Sequence, residues 1–235
     1  MITQATILST KKLLPAVKND LQQHHFNVID ESFISFKNIV NFEKSSCINV
    51  ADEVIVFTSV NAVKAYIENV QHFFIAPTYK RVYCLSGQTL IAAKQLSNIT
   101  IEGVAENALA LARLITADKN IEAVTFFCGD HRRDDLQHHL QQNNVLVNEV
   151  VLYESILTPL SINEPIDGLL FFSPSAIDSY LLKNTIAAVT ACFCIGDTTA
   201  QHLQQKIARQ AIVAAQPSQE AIATCVYQFY NKKIA

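Results

Sequence analysis

The chain has 235 residues, half of them hydrophobic and 17% charged, with a formal net charge of −3. That length allows one large or two small domains, while no apolar run reaches the roughly 18 to 20 residues that span a bilayer. A negative balance is not the concentrated basic face of a nucleic-acid binder, and Met1-Ile2-Thr3-Gln4 is not a basic region leading into an apolar stretch. A cytoplasmic protein is expected, with neither membrane nor nucleic acid as a partner.

In chain order, "ATILST" reads as a strand before a helix over Lys12 to His25, and "SFISFKNIV" as a further extended segment. "VIVFTS" precedes a helix from Val60 to Val70, "RVYCLS" one from Gln88 to Leu96, and "VTFFCG" one from His131 to Gln142. "NEVVLYESIL" is again extended; "GLLFFS" leads to Pro174 to Leu182 and "ACFCIG" to Asp197 to Lys206. Short apolar strands alternating with amphipathic helices predict an α/β protein, with parallel sheets layered between helices.

The chain also repeats itself. Ser59 in "FTSVNAVKAY" and Ser173 in "FFSPSAIDSY" stand 114 residues apart, and the runs around them agree at Phe57/Phe171, Ala62/Ala176 and Tyr66/Tyr180. "LSGQT" and "CIGDT" match at an offset of 109, and Ala108-Leu109-Ala110 matches Ala221-Ile222-Ala223 at 113. Three landmarks in one order predict two similar lobes with a cleft between them. The two extended segments have no helix partner, so they are expected to connect the lobes near 36–41 and 148–156. The first lobe then combines 1–35 with 158–235, and the second spans 36–157.

In open α/β sheets, ligands bind beyond the carboxyl ends of the strands, where helix N-termini present free amides. The hydroxyl-rich turns fall there: Thr58, Ser59 and Asn61 in one lobe, and Ser173, Ser175, Thr198 and Thr199 in the other. Such residues are also ordinary N-caps, and Pro174 suits a first helical position. Their repetition at equivalent strand ends adds the prospect of an anion-binding cleft. Arg132 and Arg133 open a helix, where a basic pair needs an anion or an acidic neighbour. Asp130, Asp134 and Asp135 make a salt-bridged turn one reading and substrate contact the other.

The six cysteines lie mostly in apolar strand-like runs, as small hydrophobes in a reducing compartment. Alternation points Cys192 and Cys194 to one sheet face, and their spacing is not that of a zinc or thioredoxin site. The His24-His25 and His138-His139 pairs diverge by about 100° on a helix, so neither chelates, and they read as solvated faces. A Gly-x-Gly-x-x-Gly, a phosphate-binding loop and a nucleophile elbow are all missing. With five glycines in the chain, neither a nucleotide cofactor nor a metal is expected.

"VFTSVNAV", "FFCGDHRRDDL", "EVVLYES", "LLFFSPSAIDSY", "CIGDTTAQHL" and "AAQPSQEAI" follow one another in the order and approximate spacing of the uroporphyrinogen-III synthase family, which the chain resembles over nearly its whole length. The resemblance implies two α/β lobes on a two-stranded connector and a cofactor-independent lyase. Its substrate would be hydroxymethylbilane, an anionic linear tetrapyrrole, cyclised with loss of water and inversion of the last ring. A monomer is expected. The family's tyrosine maps onto Tyr153, which would assist departure of the hydroxyl; a phenol with a pKa of about 10 is protonated at neutral pH and can donate. Without the resemblance, Tyr153 reads as a tyrosine packed on a strand.

Three positions depart from the family. Thr10-Lys11 stands where it often has Thr-Arg, which retains a cation but loses bidentate geometry. Ser155 replaces a frequent threonine, and Asp197 brings a negative charge beside Thr198 that must cap the helix or point away. Two other readings are a non-catalytic two-lobe module closing on a small anion and a nucleotide-dependent transferase; the scarce glycines weaken the second.

Overall fold

The structure is a computed structural model that describes residues 5–39, 54–69, 80–132 and 134–234. Its first elements are β1 (Thr6–Ser9), α1 (Pro15–Gln23), β2 (Asn27–Asp30) and β3 (Ile34–Asn38). β4 (Val54–Phe57), α2 (Val60–Asn69), β5 (Lys80–Leu85), α3 (Gln88–Ala93), β6 (Ile99–Ala105) and α4 (Ala108–Ala117) follow. Then come β7 (Ala123–Gly129), α5 (Asp135–Gln142), β8 (Leu146–Leu157), β9 (Gly168–Phe171), α6 (Pro174–Leu181) and β10 (Ala191–Cys194). α7 (Asp197–Ile207), β11 (Ile212–Val213) and α8 (Gln219–Ile234) complete the order. Cys47 and Arg133 lie outside the described residues, as does the end of the "SFISFKNIV" segment.

The chain divides into two compact units, Met1–Ser35 with Ile156–Ala235, and Phe36–Ser155. The first carries a five-stranded sheet in the order β11-β10-β9-β1-β2, and the second a six-stranded sheet in the order β3-β8-β7-β4-β5-β6. The pairings of β1, β2 and β9–β11, and of β4–β8, are parallel. Parallel strands covered on both faces need apolar side chains at every position. The central strands satisfy this: every residue of Val54–Phe57 and of Gly168–Phe171 is buried.

Each sheet has an apolar cluster on either face. In the second unit, Ile55, Phe57 and Phe127 pack on one side and Val54, Val56 and Phe126 on the other. Phe57 stacks on Phe127 with centroids 5.6 Å apart, and both rings are wholly buried. Burying one such side chain is worth about 1.5–3 kcal/mol, so these strand cores anchor the positions of the turns that leave them. Cys192 and Cys194 lie in one cluster with Leu169 and Phe171. The five described cysteines are all buried and free, and burial pushes the Cys128 and Cys194 thiols up to about 12.

The duplication extends to topology. β4-α2-β5-α3-β6-α4 in the second unit corresponds to β9-α6-β10-α7-β11-α8 in the first, and β7-α5-β8 to β1-α1-β2. The direct run from α4 into β7 has no counterpart in the first unit, where α8 is the last element and β1 the first.

Helix caps give the register of the repeat. Ser59 Oγ accepts from Ala62 N, and Ser173 Oγ from Ala176 N, both at 3.1 Å. Gly87 and Gly196 precede α3 and α7, and Gly87 has φ 69°, which favours glycine. Asn107 caps α4 through Ala110 N, and Ser218 caps α8 through Ala221 N. This corrects the third landmark: the equivalent positions are 111 residues apart, because the caps set the register while an Ala-x-Ala match can slide along a helix.

Helix boundaries also move, and the helix expected over Lys12 to His25 spans Pro15–Gln23. The helix expected from His131 begins at Asp135, because Asp130 Oδ1 accepts from His131 N and from Ser155 N and so holds this stretch as a turn. α3 ends at Ala93 rather than Leu96, because Gln95 N and Leu96 N donate three residues back, to Ala92 O and Ala93 O, as in a 3₁₀ turn.

Candidate functional site

Tyr153 lies on β8, opposite Gly129 at the carboxyl end of β7. The register shifts between Cys128 and Gly129, whose partners are Val151 and Tyr153, so one residue of β8 bulges and re-aims the tyrosine. Its ring then crosses Gly129 so closely that a Cβ there would stand 2.4 Å from Cζ. Phe36 of β3 meets the ring edge-on at 5.5 Å.

The Tyr153 hydroxyl shares a hydrogen bond with Ser59 Oγ at 3.0 Å. Either hydroxyl can donate in this pair; Ser59 also accepts from Ala62 N, and with Ser59 donating the phenolic proton is left for another acceptor. Burial raises the phenol pKa, and the neighbouring Cys128 and Asp130 add to that against the opposing bond from Ser59. Tyr153 is therefore a neutral donor at physiological pH. Asp130 is held in turn by the Ser155 amide at 3.0 Å and the Ser155 hydroxyl at 3.2 Å.

Beside the tyrosine is a cavity of roughly 210 Å³, lined by Phe36, Asn38, Asn61, Lys64, Glu68 and Tyr153 among others. Of the residues expected from the sequence, Ser59, Asn61 and Tyr153 come together here, with Thr58 half-buried next to Ser59. Phe36, Asn38 and Lys64 were not anticipated. Lys64 lies one turn beyond Asn61 on α2 and is exposed.

In the first unit, Ser173 caps α6, while Ser175 is half-buried in its first turn. Thr198 is exposed in the first turn of α7. Asp197 begins that helix, at the end where a negative charge is favoured. Lys11 is exposed.

Three expected contacts are corrected. Thr10 is 2% exposed and its hydroxyl donates to Leu170 O at 2.8 Å, tying β1 to β9. Thr199 is 3% exposed, on the inward face of α7 with Leu203. Arg132 is in the salt-bridged state: Nε donates to Glu149 at 2.5 Å, Nη1 to Asp134 at 2.9 Å and Nη2 to Gln137 at 3.1 Å. In each case a protein acceptor or the core already holds the group.

Among the described residues no three His, Cys, Asp or Glu side chains converge as a metal site, and no helix is long and apolar enough to cross a membrane.

The family model for uroporphyrinogen-III synthase HemD matches residues 16–224. The chain belongs to the uroporphyrinogen-III synthase family. Among solved structures it is similar to uroporphyrinogen-III synthetase from Helicobacter pylori, with a TM-score of 0.69 at 18% identity, over 97% of this chain and 100% of that one. It is also similar to a mutant uroporphyrinogen III synthase from Thermus thermophilus, with a TM-score of 0.61 at 11% identity, over 97% and 99%. These likenesses show the fold. No curated protein sequence matches significantly. As a member of the uroporphyrinogen-III synthase family the chain is an enzyme of tetrapyrrole biosynthesis, a cyclising lyase, and nothing favours the non-catalytic module.

Proposed function

We propose that this chain cyclises hydroxymethylbilane to uroporphyrinogen III, with Tyr153 as the proton donor to the departing hydroxyl. The observation that carries the reading is the Tyr153–Ser59 pair at a cavity edge in a chain of this family. The phenol gives its proton as the C–O bond breaks, and water and a protonated azafulvene cation result. The substituted carbon of the last ring attacks that cation, a spiro intermediate forms, and its rearrangement inverts the ring. Closure at the other carbon releases a proton, which restores the phenol, so the net change is loss of one water.

The competing reaction is closure without inversion, so the protein's main task is to hold one folded geometry. Helix N-termini and hydroxyls can bind the substrate's carboxylates without offering strong nucleophiles to the azafulvene. Thr58 and Asn61, with Ser173, Ser175, Thr198 and Lys11 from the other unit, remain the proposed carboxylate contacts. Ser59 is reassigned from substrate contact to positioning Tyr153, because its oxygen is already engaged twice.

The reading includes a cytoplasmic monomer, whose oligomeric state sedimentation of the purified protein checks. Incubation with freshly prepared hydroxymethylbilane tests the activity: the III isomer is expected, and formation of the I isomer alone would remove the proposal.

A further inference from the structure

The cavity beside Tyr153 carries three features of different chemistry. Phe36 is 52% exposed and forms an apolar wall edge-on to the tyrosine ring. Asn61 brings an amide from the first turn of α2. Lys64, on the same helix face, is exposed and has no hydrogen-bond or ion-pair partner among the described residues.

The absence of a partner is informative because a carboxylate stands nearby on the same helix. Glu68 is four residues on and lines the same cavity, yet it makes no ion pair with Lys64 and accepts instead from Asn38 Nδ2 at 2.7 Å. Lys preceding Glu by four residues is also the weaker orientation for such a pair. The obvious internal counter-ion is thus turned to β3, and the ammonium remains open toward the cavity.

A ligand matching this set has an apolar flat face for Phe36 and an anion for Lys64 and Asn61. The volume, roughly 210 Å³, falls below the roughly 300–1,000 Å³ of pockets that enclose a whole drug-sized ligand, which suits one ring of a larger molecule. We propose that Lys64, assisted by Asn61, binds a side-chain carboxylate of the pyrrole ring that lies against Phe36 beside Tyr153. This rests on the synthase reading and deepens it: Lys64 adds an anchor for the ring that lies beside the phenol.

An anchor used equally in the ground and transition states changes KM rather than kcat. Lys64→Met in the full-length protein is therefore expected to raise KM for hydroxymethylbilane about 3- to 10-fold, with kcat within about twofold of wild type. Lys64→Arg keeps the charge and should recover most of the loss. Added salt should raise the wild-type KM more than that of Lys64→Met, because screening weakens a contact the variant lacks. An exposed lysine without a ligand would move none of these, and a thermal melt checks that the variant is folded. If wild type makes the III isomer while Lys64→Met keeps the wild-type KM and salt dependence, the anchor is overturned and the synthase reading stands. If wild type makes no III isomer, both fall together.

Discussion

The turn after β4 and the turn after β9 share one design and have different surroundings. In both, a fully buried strand ends in an aromatic, and a serine two residues on caps the next helix through the same 3.1 Å bond to an alanine amide. Only Ser59 also meets a tyrosine hydroxyl. The difference originates one strand pair away. In the second unit Tyr153 lies opposite Gly129 at the end of β7, whereas in the first the residue opposite Ser9 at the end of β1 is Asp30. Asp30 faces inward to its own unit, with Lys18 Nζ at 2.5 Å and Leu13 N at 3.1 Å. One copy of the repeat thus places a neutral proton donor at the strand ends, and the other uses the same place for a structural ion pair. The two copies share a frame, and Gly129 with the register shift beside it sets Tyr153 against Ser59 in one of them.

Tyr153→Phe should show the largest effect on this contrast. A positioned general acid contributes about 10²–10⁴-fold, so turnover should fall at least about 100-fold. The loss of one hydroxyl should leave the melting temperature within a few degrees. Steady-state kinetics beside a thermal melt decides, and near-wild-type turnover would return Tyr153 to a packing role.

Ser59→Ala and Ser173→Ala compare the two turns directly. Each removes an N-cap worth about 1 kcal/mol, so both should lower stability to a similar degree in urea titrations. Ser59→Ala alone should also reduce kcat, by about 10-fold for the loss of one hydrogen bond to the reacting group. Equal kinetic losses would show that the two turns are used alike.

The first unit's ion pair affects stability alone and leaves turnover unchanged. Burial raises the Asp30 carboxyl pKa, but Lys18, the Leu13 amide and Lys12 outweigh it and hold the group below its ordinary value. A depressed folded pKa stabilises above the unfolded value of about 3.9 and is lost as pH falls through the folded one. Asp30→Asn should therefore cost about 1–2 kcal/mol at pH 7, and the gap to wild type should close as pH drops below about 4. A gap independent of pH would mean that the amide fails to pack, with no electrostatic contribution.

Much of this architecture was legible in the sequence, because its signals are local. "VIVF" and "GLLF" read as buried parallel strands from their unbroken apolar runs, and the serines after them as caps from residue type alone. What escaped depended on distant partners. Ser59 and Tyr153 are 94 residues apart, and the bulge in β8 opposite Cys128–Gly129 that accompanies their meeting is announced by no local pattern; the family resemblance alone points to Tyr153 in the sequence. Thr10 and Thr199 resemble the other hydroxyls in sequence, yet the core and Leu170 O take them. Arg132 carried two readings until β8 brought Glu149 within reach. Lys64 gave no sign, since an unpaired lysine on a helix face matters only when a cavity opens beside it.

A double-mutant cycle on kcat between Ser59 and Tyr153 tests most directly whether the serine works through the phenol. The account predicts that Ser59→Ala, which slows the wild-type enzyme, has no further effect on turnover in Tyr153→Phe. Losses that simply multiply would contradict it.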